Sequence, residues 1–322
     1  MGRRAGFACV VVACMGLSFQ FDTVQAAENC PRLAELVALD MYSDTGALLV
    51  KAELNNKPYL MSVGMGVALS ILSQRVVKEL NLKKSDAALY GLVDGKGRRT
   101  STAARVDSFK LGMLEAKDVS FITRQRESDE PEQPDVGEYG YAGVIGNNIL
   151  TFYDIELDFA HRKMRLLSTD HCEGGVVYWS DSYSDVKLNL RSGIYELVVQ
   201  LNDSNAEAAV STSTEWTYVD LSIARHKIGF DEKAPGVERM SNDYAYFDKY
   251  PVYKYRLPSL QIAGVTFQNT EVLVTHLGNN LDVRGAETSN QVVLGLKELR
   301  KLRLYFASRE QRLYVTPANA GK

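Results

Sequence analysis

Short runs of alternating apolar and polar residues dominate the chain. Leu48–Leu54, Val106–Leu111, Val119–Thr123, Tyr153–Phe159, Tyr195–Leu201 and Val265–Val274 each repeat with the period of two that a half-buried strand requires. Gly, Asn and Asp separate them, as turns demand. Helical spacing is brief, and Ser73–Leu80 and Leu296–Leu302 are its best examples. The pattern predicts a mainly β protein with a few short helices. Residues 124–140, rich in Glu, Asp and Pro, do not suit a central strand and predict a solvated loop. Residues 277–290 hold the equivalent place later in the chain.

The pattern also repeats. The run Gly46-Ala47-Leu48-Leu49-Val50-Lys51-Ala52-Glu53-Leu54-Asn55 aligns without a gap on Gly193-Ile194-Tyr195-Glu196-Leu197-Val198-Val199-Gln200-Leu201-Asn202, 147 residues on. At the same offset Val63 falls on Val210, Gly64 on Ser211 and Ser70 on Thr217. Both halves end alike. Val144-Ile145-Gly146 followed by Tyr153–Phe159 answers Val293-Leu294-Gly295 followed by Leu302–Phe306, with an offset of 149. Agreement over several strands is the mark of an internal duplication.

The first residues break this pattern. Arg3 and Arg4 precede an unbroken apolar or small run, Ala5–Leu17, and Val24-Gln25-Ala26 offers small residues for cleavage. That layout predicts a secretory signal peptide over residues 1–26, followed by one lobe over 27–172 and a second over 173–322. The run is too short to span a bilayer. Export to the periplasm or beyond follows, and Val11-Val12-Ala13-Cys14 leaves lipid anchoring at Cys14 as the lesser alternative. Past the signal only Cys30 and Cys172 remain, and in an oxidising compartment they are candidates to pair.

Composition removes other classes. A net charge of −3 with dispersed Lys and Arg gives no footprint for nucleic acid. His161, His171, His226 and His276 lack metal-ligand spacing, and there is no Gly-x-Ser-x-Gly elbow or phosphate loop. No cofactor or metal is expected.

The layout resembles the aspartic peptidases, in particular bacterial retropepsin-like proteins with two lobes in one chain, over about residues 40–316. The resemblance implies two closed β-barrel lobes and a cleft between them. It also implies one aspartate from each lobe, the pair sharing a proton so that one acts as acid and the other as base. Counting back six places from Ser70 and Thr217 puts the motif on Gly64-Met65-Gly66 and Ser211-Thr212-Ser213. Both aspartates are therefore missing. A glycine supplies no acid or base, and an unactivated serine is neither at neutral pH.

Asp44-Thr45-Gly46-Ala47 spells the expected signature elsewhere. However, Gly46 already matches Gly193 in the repeat, position 50 is Val rather than a hydroxyl residue, and the distance to Gly146 is 102 residues. The corresponding distances are 82 from Gly64 and, in the second half, 84 from Ser211. A β-turn suits these residues better, and Asp44 is kept as the lesser catalytic candidate. The resemblance further makes the hairpin with Gly91, Gly95 and Gly97 a flap, with a counterpart in 235–256. That counterpart carries Tyr244, Tyr246, Phe247 and Tyr250 as candidate binding residues, although its tyrosines equally suit packing on the barrel.

The sequence thus predicts an exported, monomeric, catalytically inactive module that takes a peptide or protein segment in its inter-lobe cleft. Two alternatives stay open. One is an active endopeptidase using Asp44 or another carboxylate, and the other is a structural envelope protein whose cleft is filled by its own bulky residues, such as Met65 and Trp216.

Overall fold

The computed structural model describes residues 31–42, 46–86, 101–124, 140–241, 250–277, 280–281, 287–288 and 292–320. These residues belong to one compact unit, Pro31–Lys322. The proposed signal peptide, Cys14 and Cys30 lie outside them, as does nearly all of the 124–140 loop.

Two closed six-stranded barrels carry the fold. In the first, hydrogen bonding runs from Leu49–Leu54 through Lys57–Val63, Gly143–Ile145, Ile71–Leu72 and Leu114–Arg124 to Ser101–Leu111. The circle closes where Leu54 pairs with Phe109. In the second, the order is Ile194–Leu201, Ser204–Val210, Val292–Leu294, Tyr218–Asp220, Val265–Thr275 and Tyr253–Ile262. Here Leu201 pairs with Leu260 to close it. The register repeats with the sequence. Ser62 and Val63 run parallel to Val144 and Ile145, and Ala209 and Val210 run parallel to Val293 and Leu294.

Local chemistry explains the elements. Asn55 and Asn56, at φ of 49° and 62°, make the two-residue turn that a tight hairpin needs. The predicted Ser73–Leu80 helix is the helix Gln74–Glu79, with Ser73 as its N-cap accepting from the Val76 N–H at 3.2 Å. The predicted Leu296–Leu302 helix is shorter. It spans Leu296–Leu299, because Leu302 opens a strand that the central sheet recruits. A third helix, Leu221–Ile228, runs from an Asp220 N-cap to a left-handed Gly229.

Between the barrels lies a six-stranded sheet to which each half gives three strands. Its order is Glu35–Asp40, Lys163–Leu167, Asp154–Asp158, Leu302–Ala307, Arg312–Pro317 and Ser184–Lys187. At its centre the closing strands of the two halves meet antiparallel, Leu157 opposite Leu304 and Ile155 opposite Phe306. All four side chains are fully buried in the main core. Burial on this scale contributes roughly 1.5–3 kcal/mol per side chain, so the sheet binds the halves into one unit.

Candidate functional site

The site is built from two equivalent loops. In the first half the chain leaves its second barrel strand at Val63, and the Gly64 N–H donates to the Ile145 carbonyl at 2.9 Å. In the second half it leaves at Val210, and the Ser211 N–H donates to the Leu294 carbonyl at 2.9 Å. The hydroxyl residues are equivalent too. Ser70 Oγ accepts from the Gly146 N–H at 2.9 Å, and Thr217 Oγ1 accepts from the Gly295 N–H at 3.0 Å. The loops therefore correspond as the repeat aligns them.

They also touch. Thr212 Oγ1 donates to the Val63 carbonyl and accepts from the Met65 N–H at 3.1 Å. A Cβ at Gly66 would stand 2.9 Å from the Val210 carbonyl oxygen, so a glycine is needed where the loops press together. Met65 has no hydroxyl to return the Thr212 contact. Its side chain is fully buried in the main core. Trp216 is half-buried beside Tyr218 and Val293, with the Lys297 ammonium 4.0 Å from its ring centre.

The chemistry available at this junction is small. A Cβ at Gly64 would lie 2.6 Å from Val144 Cγ1 and 2.9 Å from Val67 Cγ2, so a side chain there would require these valine side chains to shift. Ser211 is 8% exposed, and its Oγ accepts weakly from the Ser213 N–H at 3.4 Å. Among the described residues no histidine, lysine or carboxylate hydrogen-bonds to it. Ser213 Oγ is buried without a partner. Neither motif carries an acid, so among the described residues the two loops bring together no pair of titratable groups of the kind that activates water.

The other candidates are scattered. Asp44, Tyr244, Tyr246 and Phe247 lie outside the described residues. The ends of the Asp44 turn are described. Tyr42 and Leu49 exchange backbone hydrogen bonds of 2.9 and 2.8 Å, and Gly46 has a φ of +74°. A Cβ there would sit 3.5 Å from Glu215 Cβ, just as one at Gly193 would sit 2.9 Å from Ala68 Cβ. Ala68 and Glu215 are themselves repeat equivalents, so Gly46 stands where Gly193 stands. Tyr250 is 41% exposed and meets His276 edge-on at 4.6 Å. Tyr253 and Tyr255 instead pack beside Phe230. Cys172 Sγ lies 3.8 Å from the carbonyl oxygen of Pro31, the neighbour of Cys30.

One charged assembly escaped sequence reasoning. Asp154, Glu156 and Asp158 alternate along the central strand, so they share one face of the sheet, and all are buried. Glu156 accepts from Arg303 Nε at 2.8 Å, Arg165 Nη1 at 3.1 Å and the Tyr178 hydroxyl at 2.6 Å. Burial first, and then the bond to Glu156, push the Tyr178 hydroxyl up to about 12. Asp154 accepts from His171 Nε2 at 2.6 Å, the Tyr305 hydroxyl at 3.1 Å and the Ser308 N–H at 2.9 Å. Desolvation dominates at Asp154 and raises its pKa. At His171 desolvation pulls the other way, but the Cys172 carbonyl and the Asp154 and Glu310 carboxylates outweigh it and raise the pKa. The legible signal was the acid at every second place in Asp154-Ile155-Glu156-Leu157-Asp158, a pattern a buried strand carries only with partners. The assembly ties the halves together and lies away from the paired loops.

A family model described as aspartyl protease matches residues 50–148, which hold the first motif loop and its closing element. The likeness to aspartyl proteases in sequence is carried by these residues. The chain is similar in structure to the aspartic proteinase from Irpex lacteus, with a TM-score of 0.51 at 13% identity, covering 88% of this chain and 98% of that one. At that identity the likeness shows the fold. Basic 7S globulin from soybean aligns at a TM-score of 0.47 and 11% identity, over 90% of this chain and 95% of that one. No curated protein sequence matches the chain significantly.

Proposed function

We propose that this aspartic-peptidase-like protein is catalytically inactive and binds an extended peptide or protein segment in its inter-lobe cleft. The observation that carries the reading is Gly64 itself, which supplies no carboxylate at the first motif position, with the Val144 and Val67 side chains crowding the point where a Cβ would stand. The second position, Ser211, has a hydroxyl that no base activates. A cleft between sheet-lined lobes still offers backbone groups to an extended segment. Met65, which would have plugged the cleft in a purely structural protein, is spent in the core instead. We also propose export, two lobes over 27–172 and 173–322, a monomer, and a Cys30–Cys172 disulfide. The last draws on the closeness of Pro31 to Cys172 Sγ.

The test is selection of displayed random peptides on the purified chain, followed by mass spectrometry of an enriched peptide after prolonged incubation. Saturable binding with an unchanged peptide mass is expected. Failure to enrich any peptide overturns the binding role, and cleavage of the bound peptide overturns the inactive one.

A further inference from the structure

Residues 168–183 run between the last strand of the first half and the first strand of the second, with no helix or strand of their own. A connection of this length without secondary structure is uncommon in a compact unit. Its later part is held by apolar burial. Val176 and Trp179 lie in one cluster with Tyr305 and Tyr314 of the central sheet, and Trp179 Nε1 donates to Thr316 Oγ1 at 3.0 Å. Its earlier part is held differently. Of residues 169–175 only His171 is buried.

His171 stands between the halves. Its Nε2 lies 2.6 Å from Oδ2 of Asp154 in the first half. Its Nδ1 lies 3.0 Å from the Cys172 carbonyl oxygen and 3.5 Å from Oε1 of Glu310, in the turn of the second half's closing hairpin. The oxygens facing both ring nitrogens are acceptors. A neutral imidazole has one N–H and satisfies one side, so this geometry asks for a second proton, held in the contact with Asp154. The surrounding groups complete the arrangement. The Tyr305 hydroxyl and the Ser308 N–H donate to Asp154 at 3.1 and 2.9 Å, and the Tyr195 hydroxyl reaches Ser308 Oγ at 2.9 Å. The Gly174 N–H donates to Glu310 Oε1 at 3.1 Å, and the Tyr314 hydroxyl donates to Glu310 Oε2. The His171, Asp154 and Glu310 side chains are 3%, 0% and 6% exposed, so solvent screens them little. The neighbouring Asp170–Arg309 pair is exposed and holds the segment only weakly.

We propose that His171 is a proton-operated latch on the joint between the halves, closing residues 169–175 over Asp154 and Glu310 while the second proton is held and letting them lift when it is lost. Without that proton a ring lone pair faces an acceptor oxygen in a buried place, on one side or the other. Burial works against the charged ring, but the Cys172 carbonyl and the two carboxylates outweigh it and raise the His171 pKa. Burial raises Asp154 too, so both partners favour keeping the proton. The latch is complete below the unfolded histidine value of about 6.5 and is lost as pH rises through the folded one. Val176 and Trp179 stay seated, so the opening is local. The inference stands apart from the peptide-binding reading, because none of its residues belongs to the motif loops.

The test is amide hydrogen exchange of the full chain, read by mass spectrometry at about pH 6 and about pH 9 and corrected for intrinsic rates. Protection of residues 169–175 should fall about tenfold or more over that range, as expected for one buried charged hydrogen bond. At both values these residues should exchange well ahead of the barrel strand Leu114–Arg124, as a local opening must. His171→Gln should abolish the fall. Glu310→Gln is the milder change, and by removing one carboxylate from Nδ1 it should move the fall to lower pH. The latch is refuted by protection of 169–175 that does not depend on pH, by a fall that appears only at the protection level of the barrel strand, by a fall that persists in His171→Gln, or by an unmoved fall in Glu310→Gln.

Discussion

Thr212 of the second half holds both backbone groups that flank Gly64 of the first, donating to the Val63 carbonyl and accepting from the Met65 N–H at 3.1 Å. A single hydroxyl thus pins the two loops together. Because Met65 supplies no second hydroxyl, the lock is one-sided.

Thr212→Val keeps the shape and removes both bonds, leaving a buried N–H and a buried carbonyl unpaired. The loss should be roughly 2–3 kcal/mol. Urea unfolding checks this, with a lower midpoint and an unchanged slope.

Reintroducing the missing acid should not restore a protease. In Gly64→Asp the new Cβ would stand 2.6 Å from Val144 Cγ1, and forced overpacking costs about 1–3 kcal/mol. The variant, with or without Ser211→Asp, should be less stable and should cleave nothing. A calorimetric scan and a peptide digest test the two halves of this prediction.

The duplication and the closing elements were legible in the sequence, because strand alternation and fixed spacing write themselves into residue order. Gly46 matching Gly193 is a case in point. The central sheet was not legible. Nothing local tells Asp154–Asp158 that its partner is Leu302–Ala307, about 150 residues away, since strand pairing depends on tertiary placement. The helix Leu221–Ile228 had its signals, Asp220 before it and Gly229 after it, but little apolar periodicity between them. The crowding at Gly64 depends on two valines, one of them, Val144, distant in sequence, and so could be seen only in three dimensions.

Arg303 bonds Glu156 and also lies 4.3 Å from the Trp179 ring centre. Arg303→Met removes one of the two guanidinium groups on Glu156 and leaves Arg165 and the Tyr178 hydroxyl in place, so it should cost roughly 1.5–3 kcal/mol. Adding Glu156→Leu takes the carboxylate from Arg165 and Tyr178 as well and should not recover the loss. Equilibrium unfolding of both variants measures the difference.

His171 and Asp154 should make stability fall as pH rises. For His171 the folded pKa is raised, so its contribution is complete below the unfolded value of about 6.5 and is lost as pH climbs through the folded pKa. For Asp154, raised by burial, ionisation also costs stability on the way up. Asp158 opposes them. Its pKa is lowered, burial being outweighed by His161 and Arg303, and its contribution is lost in acid. The melting temperature should therefore decline above a pH of about 6.5, and His171→Gln should lower it overall and flatten that decline. Melting temperatures of both chains across neutral pH decide the matter.

The central claim, a protease fold without protease chemistry, is tested most directly by exposing the purified chain to a mixed peptide library from acidic to neutral pH. New peptide termini would be sought by mass spectrometry, with an Asp44→Ala variant run alongside. The account predicts no new termini from either chain. Cleavage that vanishes in the Asp44→Ala variant would contradict it and place the catalytic acid in the turn before Gly46.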